Sequence, residues 1–290
     1  MRHEAATPSP EVEFVPGIPR IAFERAGTGE TIVFLHGIGG NRHNWRAQID
    51  HFSSGYQAVA WDARGYGASD EYSGHLDFKH FSEDLVRLLD TLRVERAHLV
   101  GLSMGGRILM DFGARFSERA ASLVIACAFP SFRGGLNQAQ QKEFLRLRKE
   151  RIERGDPLAD IAPSLATSLL GPAASAEARQ IVLESILSLR RGSYLKALEA
   201  AETFDRTSEI TRIRAPTLLL YGEFDRLVTP KLGKEVHALM PGAEYDVISG
   251  AGHLINIERP VEFNLRMDQF FRSRAKSMNT ESKQAKGSTC

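Results

Sequence analysis

Ala97-His98-Leu99-Val100-Gly101-Leu102-Ser103-Met104-Gly105-Gly106 runs from a short apolar stretch, through a serine flanked by glycines, into a segment with helical spacing from Met104 to Phe116. An apolar run of this length bounded by glycine reads as a buried strand. The segment is therefore strand, sharp turn, helix, which is the context in which G-x-S-x-G has chemical meaning. A serine pushed out at so tight a turn needs small residues two before and two after it, here Gly101 and Gly105, because larger side chains would strike the adjoining strand and helix. The start of the following helix favours negative charge near the serine oxygen. The five-residue pattern alone would also fit a glycine-rich turn; its position after a strand is what gives it weight.

Working outward, the same rhythm repeats. Thr31 to Leu35, Gln57 to Trp61, Ser122 to Ala128, Pro216 to Tyr221 and Glu244 to Ile248 are apolar runs that each end at a loop. Continuous apolar runs are the mark of strands buried on both faces. Between them, Phe81, Leu85, Leu88, Leu89 and Leu92 recur at helical spacing, with Ser82 as the expected N-cap. Met104 to Phe116, Pro230 to Met240 and Pro260 to Phe271 also read as helices. Alternating strands and helices predict an α/β fold, a mostly parallel sheet with helices on both faces. From Phe132 to Arg212 no strand is predicted. Gln138 to Arg154, Ile161 to Leu170, Ala176 to Leu189 and Ser193 to Phe204 read as helices, separated by Gly155-Asp156-Pro157 and Gly171-Pro172. The expected organisation is a core over residues 20–131 and 213–272, a helical cap inserted at 132–212, and tails at 1–19 and 273–290. The polar stretch from Arg274 is expected to be disordered.

Composition removes several classes of function. Lys and Arg total 37 against 36 Asp and Glu, so no basic face for nucleic acid is implied. There are two cysteines, Cys127 in an apolar run and Cys290 at the end, which is no disulfide framework. No apolar leader and no run of about 18 apolar residues occurs, so a cytoplasmic protein without a membrane partner is expected. Oligomeric state is not legible.

The serine needs partners. His36-Gly37-Ile38-Gly39-Gly40 follows an earlier strand and lets backbone approach a ligand closely. An oxyanion hole needs two N–H groups aimed at one point, and Ile38 and Met104 are the expected donors. The alternative, a phosphate-binding loop, lacks the third glycine of G-x-G-x-x-G, and no P-loop motif is present. Of nine histidines, His253 follows a strand within Gly250-Ala251-Gly252-His253 and is the expected base. His36 is expected to fix loop shape and His98 to be a satisfied sheet residue. His43, His51, His75, His80 and His237 are expected at the surface. Asp225, in Gly222-Glu223-Phe224-Asp225, is the expected carboxylate for His253, with Glu223 its rival. The order Ser103, Asp225, His253 is that of α/β-hydrolases, not of chymotrypsin or subtilisin. No clustered Cys/His spacing points to a metal, and no cofactor is expected.

On these residues the chain resembles the α/β-hydrolase superfamily over about residues 20–272. Asp62-Ala63-Arg64-Gly65-Tyr66-Gly67-Ala68-Ser69 resembles that family's D-x-R-G-x-G-x-S loop, read as structural. Leu227-Val228-Thr229-Pro230 and His253-Leu254-Ile255-Asn256-Ile257-Glu258-Arg259-Pro260 are similar to 3-oxoadipate enol-lactonases, and esterases and perhydrolases share parts of them. The resemblance implies hydrolysis of a small ester or lactone. Leu102 and Leu254 depart from the carbon–carbon bond hydrolases, the runner-up, and Ser103 departs from enzymes with an aspartate nucleophile. A non-catalytic ligand receptor is a third reading. At least one arginine of the insertion (among Arg133, Arg146, Arg148, Arg190 and Arg191) is expected to meet an anionic substrate.

Overall fold

The computed structural model describes residues 11–131 and 138–287, with side chains omitted at 138, 140, 141, 144 and 274–287. Eight strands form one sheet: β1 (Glu13–Val15), β2 (Ile21–Ala26), β3 (Thr31–Leu35), β4 (Gln57–Trp61), β5 (Ala97–Leu102), β6 (Ala120–Ala126), β7 (Thr217–Gly222) and β8 (Glu244–Ile248). Their spatial order is β1-β2-β4-β3-β5-β6-β7-β8. β1 and β2 pair antiparallel, as do β2 and β4, and the rest is parallel. Ten α-helices are described: α1 (Arg46–Phe52), α2 (Phe78–Thr91), α3 (Met104–Arg115), α4 (Gln138–Glu153), α5 (Leu158–Leu169), α6 (Ala176–Leu187), α7 (Arg191–Thr203), α8 (Pro230–Leu239), α9 (Ile255–Glu258) and α10 (Pro260–Gly287). None among the described residues is long and apolar enough to cross a membrane.

The apolar runs are continuous because both faces are covered. Val33, Leu35, Leu99, Leu123 and Leu219 face a core shared with α2, α3 and α8. Their neighbours in the chain, Ile32, Phe34, Val100, Val124, Leu218 and Leu220, face the opposite core with α1 and α10. All the parallel strands therefore end on one edge of the sheet, where their loops gather.

Several sequence expectations are corrected. Two antiparallel strands, β1 and β2, precede the first expected strand. Glu24 hides β2 from a hydropathy reading, and it is tolerated because Arg42 lies 3.4 Å from it and also pairs with Asp62. Asp77, not Ser82, caps α2: its carboxylate accepts from the Lys79 N–H in a capping box completed by His80. Ser82 is buried one turn inside and donates to Asp111 at 2.6 Å. The periodic stripe begins at Phe78, so the cap precedes that residue. β6 stops at Ala126 because Cys127 takes a left-handed φ of 48°. The stretch from Arg274 is helical to Gly287, continuing α10; it contains no proline or glycine before that residue to stop the helix.

α4–α7 lie between β6 and β7, and no element of that interval is a strand among the described residues. Its two ends are tied by an antiparallel bridge between Ser131 and Asp205 and by the Arg206 N–H to the Pro130 carbonyl, 2.9 Å.

Candidate active site

Ser103 sits between β5 and α3 at φ 55° and ψ −109°, a conformation that costs free energy in a non-glycine residue. Its own N–H donates to the Ala126 carbonyl at 2.8 Å and so pins the turn to β6. The small flanking residues do what the pattern required. A Cβ on Gly101 would overlap the Gly105 backbone, and one on Gly105 would overlap the Leu35 carbonyl. Gly37 brings the loop after β3 against the serine: a Cβ there would lie 3.2 Å from Ser103 Cβ.

That loop is held from beneath by His36. The Ala63 N–H donates to Nε2 at 3.0 Å, so Nδ1 carries the proton and donates to the Gly37 carbonyl at 2.8 Å. Burial lowers the His36 pKa and keeps the ring neutral. The Asp62 loop is a scaffold. The Asp62 carboxylate accepts from the Arg42 side chain and from the N–H groups of Arg42 and Ala68. Ser69 Oγ donates to the Asp62 carbonyl and accepts from the Ala22 N–H. The Ile38 and Met104 N–H groups donate to no other group among the described residues, Met104 being the first residue of α3. Both residues line one cavity with Ser103 and His253.

Asp225 and His253 are joined. Nδ1 lies 2.7 Å from Asp225 Oδ2, and both side chains are buried. Asp225 Oδ1 accepts from the N–H groups of Leu227 and Val228 at 2.8 and 2.9 Å. The carboxylate is thus fixed, it accepts the hydrogen bond from Nδ1–H, and Nε2 is left for the cavity. Ser103 Oγ makes no hydrogen bond to Nε2 among the described residues; such bonds commonly tighten only around a bound substrate. Glu223 turns the other way, accepting from Ser249 Oγ and the Gly250 N–H, which lower its pKa.

One contributor was not singled out from the sequence. Glu258, buried in α9, accepts from the Gly171, Gly252 and Leu254 N–H groups at 2.7, 3.0 and 3.2 Å. With the His253 N–H bonded to the Leu169 carbonyl at 2.8 Å, this fastens the histidine loop to the interval that carries α4–α7. Glu258 stood within the His253–Pro260 resemblance, but nothing in its spacing told which backbone groups it would reach.

Cys127 lies beside Asp225, and Cys127, Asp225 and His253 form a group whose potential metal-ligand atoms lie within 4.8 Å of one another. Both Asp225 oxygens and Nδ1 are already engaged. Burial and the Asp225 charge push the thiol pKa well up, so Cys127 stands beside the pair as a neutral thiol. The set fits an acid–imidazole pair better than a metal centre. His98 hydrogen-bonds Ser122 Oγ at 2.7 Å in the sheet. His43, His51 and His75 are exposed. His80 and His237, expected at the surface, are half-buried, engaging the Asp77 N–H and the Ala243 carbonyl.

The arginines of the interval differ. Arg146 is exposed between Glu143 and Glu150. Arg190 donates to the Ser69 and Gly67 carbonyls, and Arg191 to that of Asp156. Arg148 lines the Ser103 cavity. Arg133 lies outside the described residues.

A sequence model described as "Alpha/beta hydrolase family" matches residues 32–265. The chain is 28% identical over 236 residues to the 3-oxoadipate enol-lactonase 2 of Acinetobacter baylyi, covering 80% of this chain and 85% of that one. It is 29% identical over 272 residues to a 2-hydroxy-6-oxononadienedioate/2-hydroxy-6-oxononatrienedioate hydrolase of Burkholderia vietnamiensis, covering 87% and 91%. A thermophilic esterase from Thermogutta terrifontis superposes with a TM-score of 0.81 at 26% identity, covering 91% of this chain and 99% of that one.

Proposed function

The chain belongs to the alpha/beta hydrolase family, and from that premise we propose that it is a serine hydrolase cleaving a small carboxylic ester or (enol-)lactone. The observation that carries this reading is the convergence of a strained, cavity-facing Ser103 with a buried imidazole whose Nδ1 is held by Asp225. Ser103 attacks the carbonyl carbon while His253 Nε2 takes its proton. Asp225 keeps the ring in the required tautomer and stabilises its cationic form. The Ile38 and Met104 N–H groups receive the oxyanion. The alcohol leaves with the proton from Nε2, water enters with His253 as base, and the acid is released. No cofactor takes part. The interval containing α4–α7 acts as a cap over the cavity, with Leu145, Arg148 and Leu198 on its lining.

A second reading, hydrolysis of a carbon–carbon bond, draws support from the 29% identity to the Burkholderia vietnamiensis enzyme. Purified protein assayed on short-chain aryl esters, enol-lactones and meta-cleavage products separates the two. Ester or lactone turnover that disappears in Ser103→Ala supports the first. Turnover of meta-cleavage products alone supports the second. Single covalent labelling without any turnover would make the molecule a receptor.

A further inference from the structure

The Ser103 cavity lies among the loops that follow the parallel strands. At the opposite edge of the sheet, where β5, β6 and β7 begin, there is a cleft of about 460 Å³. Four arginines line it, and they converge from three segments: Arg96 immediately precedes β5, Arg115 ends α3, and Arg212 and Arg214 lie on the approach to β7.

Elsewhere on the surface guanidinium groups sit against carboxylates. Arg20 meets Asp70, Arg25 meets Glu13, Arg146 meets Glu143 and Arg266 meets Glu244, at 2.6 to 3.0 Å. The arginines that line the Ser103 cavity are engaged too, Arg107 with the Ala201 carbonyl and Arg148 with Ser168 Oγ. In the cleft only Arg115 follows that pattern. It pairs with Glu83 at 3.0 Å and Asp111 at 3.3 Å, and it suits the negative C-terminal end of α3. Arg96 donates to the Ala120 carbonyl at 3.1 Å and pairs with no carboxylate among the described residues. The Arg212 and Arg214 side chains are exposed, with neither hydrogen bond nor ion pair among the described residues. Ser117 Oγ, also on the lining, accepts the Arg214 N–H at 3.2 Å, which leaves its own proton to donate. The acid on the lining is Glu118.

Like charges gathered in this way repel one another, and a chain with 37 basic and 36 acidic residues does not impose such a cluster by composition. Compensation of a helix end explains Arg115 but not Arg96, Arg212 and Arg214. Guanidinium edges beside a hydroxyl are a donor set for phosphate oxygens. The volume is that of a small-molecule site. We propose that this cleft binds the phosphate groups of a soluble small molecule, a di- or triphosphate. α3 separates it from the nucleophile: the helix starts beside Ser103 and ends at Arg115, about 18 Å away at the rise of an α-helix. Binding here is independent of the chemistry at Ser103.

The test is isothermal titration of the full chain at low ionic strength, without divalent metal, using tripolyphosphate, ATP and adenosine, with phosphatidylinositol 4,5-bisphosphate in phosphatidylcholine vesicles as the membrane-borne alternative. One equivalent of tripolyphosphate or ATP per chain is expected, and no heat from adenosine. The double variant Arg212→Gln/Arg214→Gln should weaken binding about tenfold or more, the range of charge-assisted hydrogen bonds. Glu118→Gln should tighten it about two- to fivefold by removing an exposed like charge, and Arg146→Gln should leave it unchanged. Urea midpoints report whether each variant has folded, and Glu118→Gln carries the test in the opposite sense if the double variant has not. Absence of saturable binding by either soluble phosphate, several equivalents per chain, binding to the vesicles alone, or an affinity unmoved by the double variant or by Glu118→Gln overturns the site.

Discussion

The loops at the strand ends and the helices between β6 and β7 are held by different means. The loops are held largely by backbone groups: the Ser103 N–H donates to the Ala126 carbonyl of β6, the Phe224 N–H to the Ala251 carbonyl, and the Leu227 and Val228 N–H groups to the Asp225 carboxylate. The interval meets the core through two backbone bonds, His253 N–H to the Leu169 carbonyl and Arg206 N–H to the Pro130 carbonyl, and otherwise mostly through side chains, among them Arg190 on Ser69, Lys196 on the Tyr72 carbonyl and Asn44 on Ser185. Backbone ties tolerate many sequences. Side-chain ties change with each substitution. Chemistry placed on the first can therefore persist while the contacts of the second vary.

The sharpest way to break that comparison lies within the loops. Asp225→Asn should lower kcat by roughly 10⁴-fold, because an amide facing Nδ1 favours the wrong tautomer. Glu223→Gln, whose carboxylate meets only Ser249 and Gly250, should change kcat by less than about threefold, in line with a peripheral surface substitution. Steady-state kinetics on the best ester or lactone would measure both, and reversed effects would reassign the acid.

Glu258 is where the two regions join, so it sharpens the comparison. Glu258→Gln keeps the volume but offers one acceptor oxygen where the backbone presents three donors. A stability loss of about 2–4 kcal/mol is expected in urea unfolding. A fall in kcat of about 10- to 100-fold should accompany it as His253 shifts. Stability loss with unchanged kcat would mean that the histidine loop holds itself.

The smallest effect is one of pH. The folded pKa of His36 lies below the usual 6.5 because burial disfavours its cation. As pH falls through 6.5 the unfolded chain gains a proton that the folded chain refuses, so stability declines until the lower folded pKa is reached. Urea midpoints measured between pH 7.5 and 5.5 should fall less steeply in His36→Gln than in wild type. His80 and His98, also lowered by burial, contribute in the same direction and remain in both proteins.

The parallel core was legible because buried strands announce themselves as apolar runs: Thr31–Leu35 and Gln57–Trp61 matched to the residue, as did the half-exposed edge strand Glu244–Ile248. β2 was not legible, since a strand with buried Glu24 makes sense only once Arg42 is seen beside it. The hydrogen-bonded pair Asp225 and His253 was legible from chain order and glycine context. Arg107 was not, because a residue four beyond the serine on a helix gives no sign of facing a cavity until Phe129, Phe204 and Ala201 surround it. Short-range chemistry is written in motifs, whereas burial of a charge depends on side chains far apart in the chain.

The central claim is that Ser103 is the nucleophile. Reaction of the purified protein with a fluorophosphonate, read by intact mass and peptide mapping, tests it without knowledge of the substrate. One adduct per chain on Ser103, abolished in Ser103→Ala and strongly slowed in His253→Gln, is the predicted result. An adduct on another residue, or labelling of Ser103→Ala at the wild-type rate, would contradict it.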